Sequence, residues 1–376
     1  MRSTLRTGTT ALTTAIAIFL ASTPVAAHVR YTAPSNGSVS PAELFVNVVT
    51  DPFNAALLGG GALAVGIAAL AYLRFLPFRR DISVFREAVA EYRDLLPWLL
   101  RLSFGLPLVG AGFAGYFVSP AVEPAGSVLP AAARLFQIGL GFALLFGLGT
   151  RVVAAIGLAT YAVATVFEPQ LLLAFEYVPG FVAIVLLGSG RPSADEVLEV
   201  VASAEGTVYG RIDPVHRLTG SVRARVGPYQ RFVPTVIRVG IGLNFAYLGL
   251  IEKLLTPGQA LAVVDKYDLT AVVPVDPGLW VVGAGLVEIA LGIVLIVGAF
   301  TRAGSLVALL MFTLTLFALP DDPVLAHISL FGLASTLLVT GAGPYSLDRW
   351  IGERFTTPSA GRDGRIPKED ADLAGD

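Results

Sequence analysis

The stretch VPTVIRVGIGLNFAYLGLIEKL, residues 233–254, decides the fold. It is long enough to cross a bilayer as one helix, which takes about 20 mostly apolar residues. Four polar side chains interrupt it: Arg238, Asn244, Glu252 and Lys253. Such groups are costly at membrane depth, so they are expected to be functional or to be buried with partners. Small residues lie between Arg238 and Glu252 on one side of the helix, which predicts a face for close helix packing.

The same pattern occurs a second time, in PWLLRLSFGLPLVGAGFAGYFVSP, residues 97–120. Arg101 aligns with Arg238, and Pro97 and Pro120 at the two ends align with Pro234 and Pro257. A following pair of apolar stretches also aligns, with Gln137 in the first matching Glu288 in the second. Each polar residue lies between small residues at helical spacing. The sequence therefore predicts an internal duplication in which the second copy carries more polar groups than the first.

The composition predicts a membrane protein. Hydrophobic residues make up 55% of the chain and charged residues only 14%, whereas a soluble domain carries about 25% charge. The predicted fold class is an all-α integral membrane protein. It has two parallel four-helix transmembrane repeats, residues 97–195 and 233–350, preceded by one extra transmembrane helix at 53–73.

Charge and cysteine content narrow the function classes. The net charge of −2 gives no argument for nucleic acid as a partner. The chain has no cysteine, which excludes disulfides, thiolate metal sites and dithiol redox chemistry. Any redox role must therefore take its electron carrier from elsewhere. The lipid bilayer is the predicted partner of this protein.

The remaining segments follow from local composition. Residues 1–27 have a basic start, an apolar middle and small residues at the end, which predicts a signal peptide; an uncleaved anchor helix is the alternative. The polar residues 28–52 are predicted to be exported. An arginine-rich cytoplasmic linker is predicted at 196–232, an amphipathic surface helix at 81–96, and a disordered cytoplasmic tail at 351–376.

Nine spans place the arginine-rich segments on one side, as the positive-inside rule requires. The predicted protein is therefore a multi-pass protein of the cell membrane, with its N-terminus exported and its C-terminus cytoplasmic. The longest exported loop is predicted at 255–277. The eight spans that follow residues 53–73 are predicted at 97–117, 130–149, 152–168, 171–188, 233–254, 278–299, 303–319 and 324–341.

The second repeat carries a series of features that point to a family. In chain order they are Arg238, Gly242, Gly249, Glu252-Lys253, Pro257, Glu288-x-x-x-Gly292, Thr301-Arg302, His327 and Ser346-x-Asp348. With these features, residues 233–350 resemble the DoxX family of four-span membrane proteins. Residues 97–195 resemble it as a degenerate copy that lacks the glutamate, lysine and histidine. The resemblance implies thiosulfate oxidation coupled to quinone, or an accessory subunit of a quinol-linked respiratory or oxidative-stress complex.

Two residues near mid-bilayer are candidates for catalysis. Glu288 falls deep in its span and Asn244 lies at a similar depth in the preceding one. Glu288 could accept a proton, or in its protonated form donate a hydrogen bond to a quinone carbonyl. The alternative is that Glu288 only pairs with a neighbour to hold the bundle together. Glu176, in the first repeat, aligns with no polar residue when Phe175 is matched to His327.

Four further residues are predicted to bind substrate. Lys253 and His327, at the exported ends of their spans, could hold an anion, and Glu252 and Arg238 complete the set. An interfacial anchor is the alternative reading of Arg238. Only His327 lies in a span, so the sequence offers no pair of heme ligands and no metal cluster.

Three functions remain open on the sequence. The first is a quinone-linked redox subunit, of the thiosulfate:quinone oxidoreductase type or accessory to a respiratory complex, with quinone as cofactor and other redox subunits as partners. The second is a non-catalytic membrane scaffold for partner proteins. The third is a small-molecule transporter, because paired repeats suit alternating access. The spans lack the helix breaks typical of transporters, which counts against the third.

The topology gives a direct prediction. Because the chain has no cysteine of its own, a single cysteine placed at Asp268 or at Ser203 can be labelled without background. We expect an impermeant thiol reagent to label Asp268→Cys in intact cells, and Ser203→Cys only after the membrane is opened. Labelling of both variants from the same side would contradict the nine-span topology and the parallel repeats with it.

Overall fold

The computed structural model describes residues 39–75, 77–122, 128–212 and 222–355. The predicted signal peptide, residues 1–27, lies outside these ranges, as does the end of the chain from residue 356. Within the described ranges the chain is helical and forms no β-strand.

The helices are numbered here in chain order. They are α1 (Pro41–Thr50), α2 (Pro52–Phe75), α3 (Arg79–Ala90), α4 (Leu96–Ala114), α5 (Val128–Phe146), α6 (Thr150–Phe167), α7 (Tyr177–Leu187), α8 (Ala194–Ser203), α9 (Val208–Ile212), α10 (Val233–Tyr247), α11 (Pro257–Lys266), α12 (Leu269–Val272), α13 (Pro277–Val297), α14 (Thr301–Ala318), α15 (Val324–Thr340) and α16 (Leu347–Phe355). Three 3₁₀ segments (Glu91–Leu95, Pro169–Ala174 and Gly227–Phe232) precede α4, α7 and α10, and a π-helical segment, Leu248–Leu255, continues α10.

The chain is an all-α, multi-pass membrane protein, as predicted. In the described residues, six helical stretches are long and apolar enough to cross a bilayer. They are Pro52–Phe75, Arg80–Ala114, Thr150–Phe167, Val222–Leu255, Pro277–Val297 and Thr301–Ala318. Three shorter apolar helices accompany them: Pro130–Phe146, Tyr177–Leu187 and Val324–Thr340. The nine predicted spans thus correspond to six long and three shorter helices.

Eight of these helices form two sets of four. The first set is α4 to α7, and the second set is α10 with α13, α14 and α15. The two sets contact each other through these helices: the first helix of each set packs against the fourth helix of the other. Ser103 of α4 fills the space beside Gly332 of α15, and Pro179 of α7 fills the space beside Gly240 of α10.

Buried arginine anchors one end of each set. Arg238 is only 2% exposed, and its guanidinium donates hydrogen bonds to the carbonyls of Leu295 (3.2 Å), Ala342 (3.0 Å) and Tyr345 (2.6 Å). Carbonyls at helix ends and loops must find donors inside a membrane protein, because lipid offers none. Arg101, in the first set, is equally buried and bonds a carbonyl of the corresponding loop.

A carboxylate caps the third helix of each set at the same end. Asp348 accepts hydrogen bonds from the N–H of Thr301 at 2.8 Å and from the preceding residue at 2.6 Å. Asp195 accepts from the N–H of Thr150 at 3.0 Å and from the residue before it at 2.6 Å. An anion at a helix N-terminus is favoured by the helix dipole. The matched contacts support the predicted duplication, which stays a prediction.

Three segments differ from their predicted form. The predicted exported loop at 255–277 contains the helices α11 and α12, and the predicted disordered tail begins inside a helix, since α16 continues to Phe355. The polar segment at 28–52 contains α1, whose Val48 packs on Leu279 and Val282 of α13. In α1, α11 and α12 a few apolar side chains pack on the bundle, which local composition does not reveal.

Glycines allow close contact between the first two helices of the second set. A Cβ atom at Gly242 of α10 would lie 2.6 Å from the carbonyl oxygen of Gly292 of α13. About two turns further along, a Cβ at Gly249 would lie 2.6 Å from the carbonyl oxygen of Gly285. The two backbones touch at both points, as small-residue interfaces permit in membranes.

We expect Gly242→Ala to destabilise the protein by about 1–3 kcal/mol, because the new methyl group must push two backbones apart. Gly139→Ala on α5 is the matched control, since a Cβ there meets nothing within 4 Å. Thermal unfolding in detergent should show a lower midpoint for the first variant and no loss for the second. Equal midpoints would show that the α10–α13 contact is not tight.

Candidate functional site

A cavity of about 350 Å³ lies inside the second set, at the end opposite the buried arginines. Its walls come from α10 and its π-helical extension, α13, α14 and α15. Most of the lining is apolar and includes Phe245, Met311, Phe312 and Leu330. Five ionisable side chains also line it: Glu252, Lys253, Glu288, Asp322 and His327.

The short helices α11 and α12 form a lid over this cavity. Ala260, Val263 and Leu269 belong to the lining and pack together as one apolar cluster. The lid is tied to the turn after α14 by Lys266, whose Nζ lies 2.8 Å from a carboxylate oxygen of Asp321. Tyr267 donates its hydroxyl to the same oxygen at 3.0 Å.

The latch between Lys266 and Asp321 depends on pH. The hydrogen bond from Lys266 lowers the pKa of Asp321, and the same bond raises the pKa of Lys266. The ionised Asp321 carboxylate therefore stabilises the latch fully at pH values above the ordinary pKa of aspartate. That contribution is lost as the pH falls through the lowered pKa of Asp321. Both groups are at the surface, so the effect on the closed lid is small.

Lys253 and Glu288 form an ion pair in the cavity wall. The Nζ of Lys253 lies 2.8 Å from Oε2 of Glu288, and the two side chains are 20% and 14% exposed. Glycine opposite each residue allows this, because Gly249 lies beside Glu288 and Gly285 lies beside Lys253. The π-helical turn supplies Glu252 and Lys253 together, and such turns occur often at functional sites.

A second pair lies at the start of α15. Nε2 of His327 is 3.4 Å from Oδ2 of Asp322, and both side chains are almost fully buried. The other ring nitrogen, Nδ1, faces the carbonyl of Pro323 at 3.3 Å. Both nitrogens of the imidazole thus meet oxygen atoms, an arrangement that holds the ring in a fixed orientation.

The charges of the cavity do not suit an anion. Lys253 lies against Glu288 and His327 against Asp322, while Glu252 adds a third carboxyl group. Carboxyl groups therefore outnumber the basic groups, and each basic group already faces one. That Lys253 and His327 hold an anionic substrate stays a prediction, and the pairing of both with carboxylates is better suited to a neutral ligand.

Two of the predicted site residues lie elsewhere. Arg238 bonds loop carbonyls at the far end of the set, which is a structural role and not contact with the cavity. Asn244 matches Glu288 in depth, but its amide turns toward the first set, where Nδ2 lies 3.4 Å from Oε2 of Glu176. The adjacent Phe245 lines the cavity instead, because successive helical residues point about 100° apart.

At the aligned position of the first set, the described residues leave a much smaller space. Gln137, which aligns with Glu288, accepts a hydrogen bond from the N–H of Val118 (2.8 Å) and donates to the carbonyls of Leu108 (3.1 Å) and Tyr116 (3.3 Å). The cavity beside Gln137 measures only about 20 Å³. The amide satisfies backbone groups where the second set has an ion pair and an open cavity.

Sequence reasoning missed two residues of the site. Asp322 lies in a turn, outside any apolar span, and only its spacing of five residues before His327 could have suggested a contact. Trp280 is the other. It lines the cavity, and its indole Nε1 is buried without a hydrogen-bond acceptor among the described residues.

The family of the second set is settled by its match to a family model. The DoxX model matches from Val233, where α10 begins, to His327. Residues 233–327 form a DoxX domain. The resemblance to DoxX is thereby confirmed, although the matched range is shorter than the predicted 233–350 and does not include 97–195. No curated protein and no solved structure gives a significant match to the chain.

The DoxX domain contains every ionisable group of the cavity. The π-helical extension of α10 supplies Glu252 and Lys253, α13 supplies Glu288, and the last matched residues supply Asp322 and His327. The cavity is thus a feature of the DoxX domain, and the lid formed by α11 and α12 belongs to the same matched range.

We expect Lys253→Met to destabilise the protein by about 3–5 kcal/mol, because it leaves the Glu288 carboxylate buried without its partner. Adding Glu288→Gln to the same chain should restore most of that loss, because the unpaired charge is removed. Thermal unfolding in detergent of the single and double variants measures both effects. A double variant no more stable than Lys253→Met would show that the two side chains are not coupled.

Proposed function

We propose that the cavity of the DoxX domain binds a quinone ring and that the protein is a quinone-linked subunit of a membrane redox complex. One observation carries the proposal: an apolar cavity of about 350 Å³ at one end of the second set has a small number of polar groups in its wall. Pockets for small organic ligands have this character and begin at about 300 Å³.

The residues present fit a quinone. The ring and its methyl groups match apolar walls such as Phe245 and Phe312. Quinone carbonyls accept hydrogen bonds, and Nζ of Lys253 is a donor in the lining. Trp280 adds a further aromatic ring to the wall.

The chain's own contribution would be to position protons. A bound quinone supplies a carrier that takes up two electrons and two protons. Lys253 orients the Glu288 carboxyl at the cavity wall, and Asp322 orients His327 on the neighbouring helix. Both pairs contain a group that can hold or release a proton within the cavity. The lid of α11 and α12 limits the access of water to these groups.

Electrons would come from a partner. The chain has no cysteine, and the excess of carboxyl groups in the cavity disfavours a sulfur anion in the same space. A partner subunit is therefore the place for oxidation of the reduced substrate, which the family resemblance suggests is a small sulfur anion such as thiosulfate. The DoxX domain would then serve as the quinone-binding end of the complex.

Quinone binding can be measured through Trp280. The chain has three tryptophans, so a variant carrying Trp98→Phe and Trp350→Phe reports from the cavity alone. We expect a short-chain ubiquinone or menaquinone analogue to quench this fluorescence. Ala284→Phe, which fills the cavity without changing any charge, should weaken binding at least tenfold, a loss of about 1.4 kcal/mol. The aligned Ala133→Phe in the first set is the matched control and should leave binding unchanged.

The role of the Glu288 carboxyl group is tested separately from the role of the cavity volume. Glu288→Gln keeps the volume and the hydrogen bonding but cannot hold and release a proton. We expect Glu288→Gln to bind the analogue, yet to lower the rate of quinone reduction in membranes that contain only this variant. Gln137→Ala should not lower that rate. Quenching and quinone reduction that survive both Ala284→Phe and Glu288→Gln would refute the quinone site and favour the scaffold.

A further inference from the structure

A second buried carboxyl lies outside the cavity, at the joint between the two sets. Glu176 precedes α7 in the first set and is only 2% exposed. Its Oε1 faces the hydroxyl of Ser329 on α15 at 3.3 Å, and its Oε2 faces Nδ2 of Asn244 on α10 at 3.4 Å. One side chain of the first set thus contacts two helices of the second.

The surroundings of Glu176 contain no positive charge among the described residues. Both of its polar contacts are neutral, and the titratable groups that face it are the phenols of Tyr161 and Tyr177, with Tyr247 next to Tyr161. A carboxylate in a dry interior is strongly unfavourable unless it is paired. Glu288 of the second set has Lys253 for this purpose; no such ion pair is found for Glu176 among the described residues.

Asn244 supplies a second, independent observation. Its Oδ1 is buried and has no hydrogen-bond partner in the described part of the chain. The oxygen and nitrogen of a side-chain amide exchange places by a simple flip. In the flipped orientation Oδ1 would face Glu176, where a protonated carboxyl group could donate to it. Carboxyl and amide then complement each other at the joint.

We propose that Glu176 is a proton-binding site at the joint between the two four-helix sets. The proton removes the charge and supplies the donor that faces Asn244. A metal cation is the poorer occupant, because the described residues contain no group of three or more acidic, histidine or cysteine side chains that could hold one. The site does not depend on the quinone proposal, since neither Glu176 nor Ser329 lines the cavity.

Infrared spectroscopy tests the proposal on the full chain in detergent or lipid. We expect the wild-type protein at neutral pH to show the C=O stretching band of a protonated carboxyl, and Glu176→Gln to lose one carboxyl's worth of that band. Glu288→Gln is the matched control. It removes a carboxylate that is paired with lysine, so the band of Glu176 should remain.

A second variant, Ser329→Ala, tests the same proposal if Glu176→Gln does not fold. Ser329→Ala removes a hydrogen-bonding hydroxyl from Oε1 and keeps the carboxyl, so it should shift the frequency of the same band. A band unchanged in both Glu176→Gln and Ser329→Ala would overturn the proposal. The proposal would also fail if sodium or potassium raised the melting temperature of the wild type but not of Glu176→Gln, because a metal cation would then be the occupant.

Discussion

The close approach of α10 and α13 is the contact on which the second set depends. Glycines on both helices let the backbones touch, and the side chains of Lys253 and Glu288 meet beside that contact at 2.8 Å. A larger residue at Gly249 or Gly285 would widen the gap and separate the charges. The cavity lies beside this contact and is lined by both helices together with α14 and α15. Packing and site are therefore consequences of the same small residues.

The spans and the core of the site could be predicted from the sequence, because a charged group in an apolar helix is unusual enough to be informative. Glu252, Lys253, Glu288 and His327 were found in this way and line one cavity. Asn244 was assigned to the same site by depth alone. Depth fixes position along a helix but not the direction of the side chain, and one residue changes that direction by about 100°.

Other features depend on tertiary contacts that a sequence pattern does not contain. The lid helices are short and of mixed polarity, so nothing local distinguishes them from a loop. Aligning Phe175 with His327 left Glu176 without a counterpart. Between the two sets, Pro179 contacts Gly240, and Ser103, which aligns with Gly240, contacts Gly332. Pro179 therefore corresponds to Gly332. This correspondence moves the alignment by one residue and matches Glu176 to Ser329. The 3₁₀ segment before α7 makes such an offset hard to see.

The two kinds of ion pair around the cavity respond differently to the solution. The latch between Lys266 and the carboxylate of the turn is exposed, with side chains 39% and 60% accessible, and mobile ions screen such pairs over about 10 Å at 0.1 M salt. The pair in the wall is less accessible, at 20% and 14%, and partly buried pairs are screened much less. A rise in ionic strength therefore weakens the latch of the lid more than the ion pair in the cavity wall.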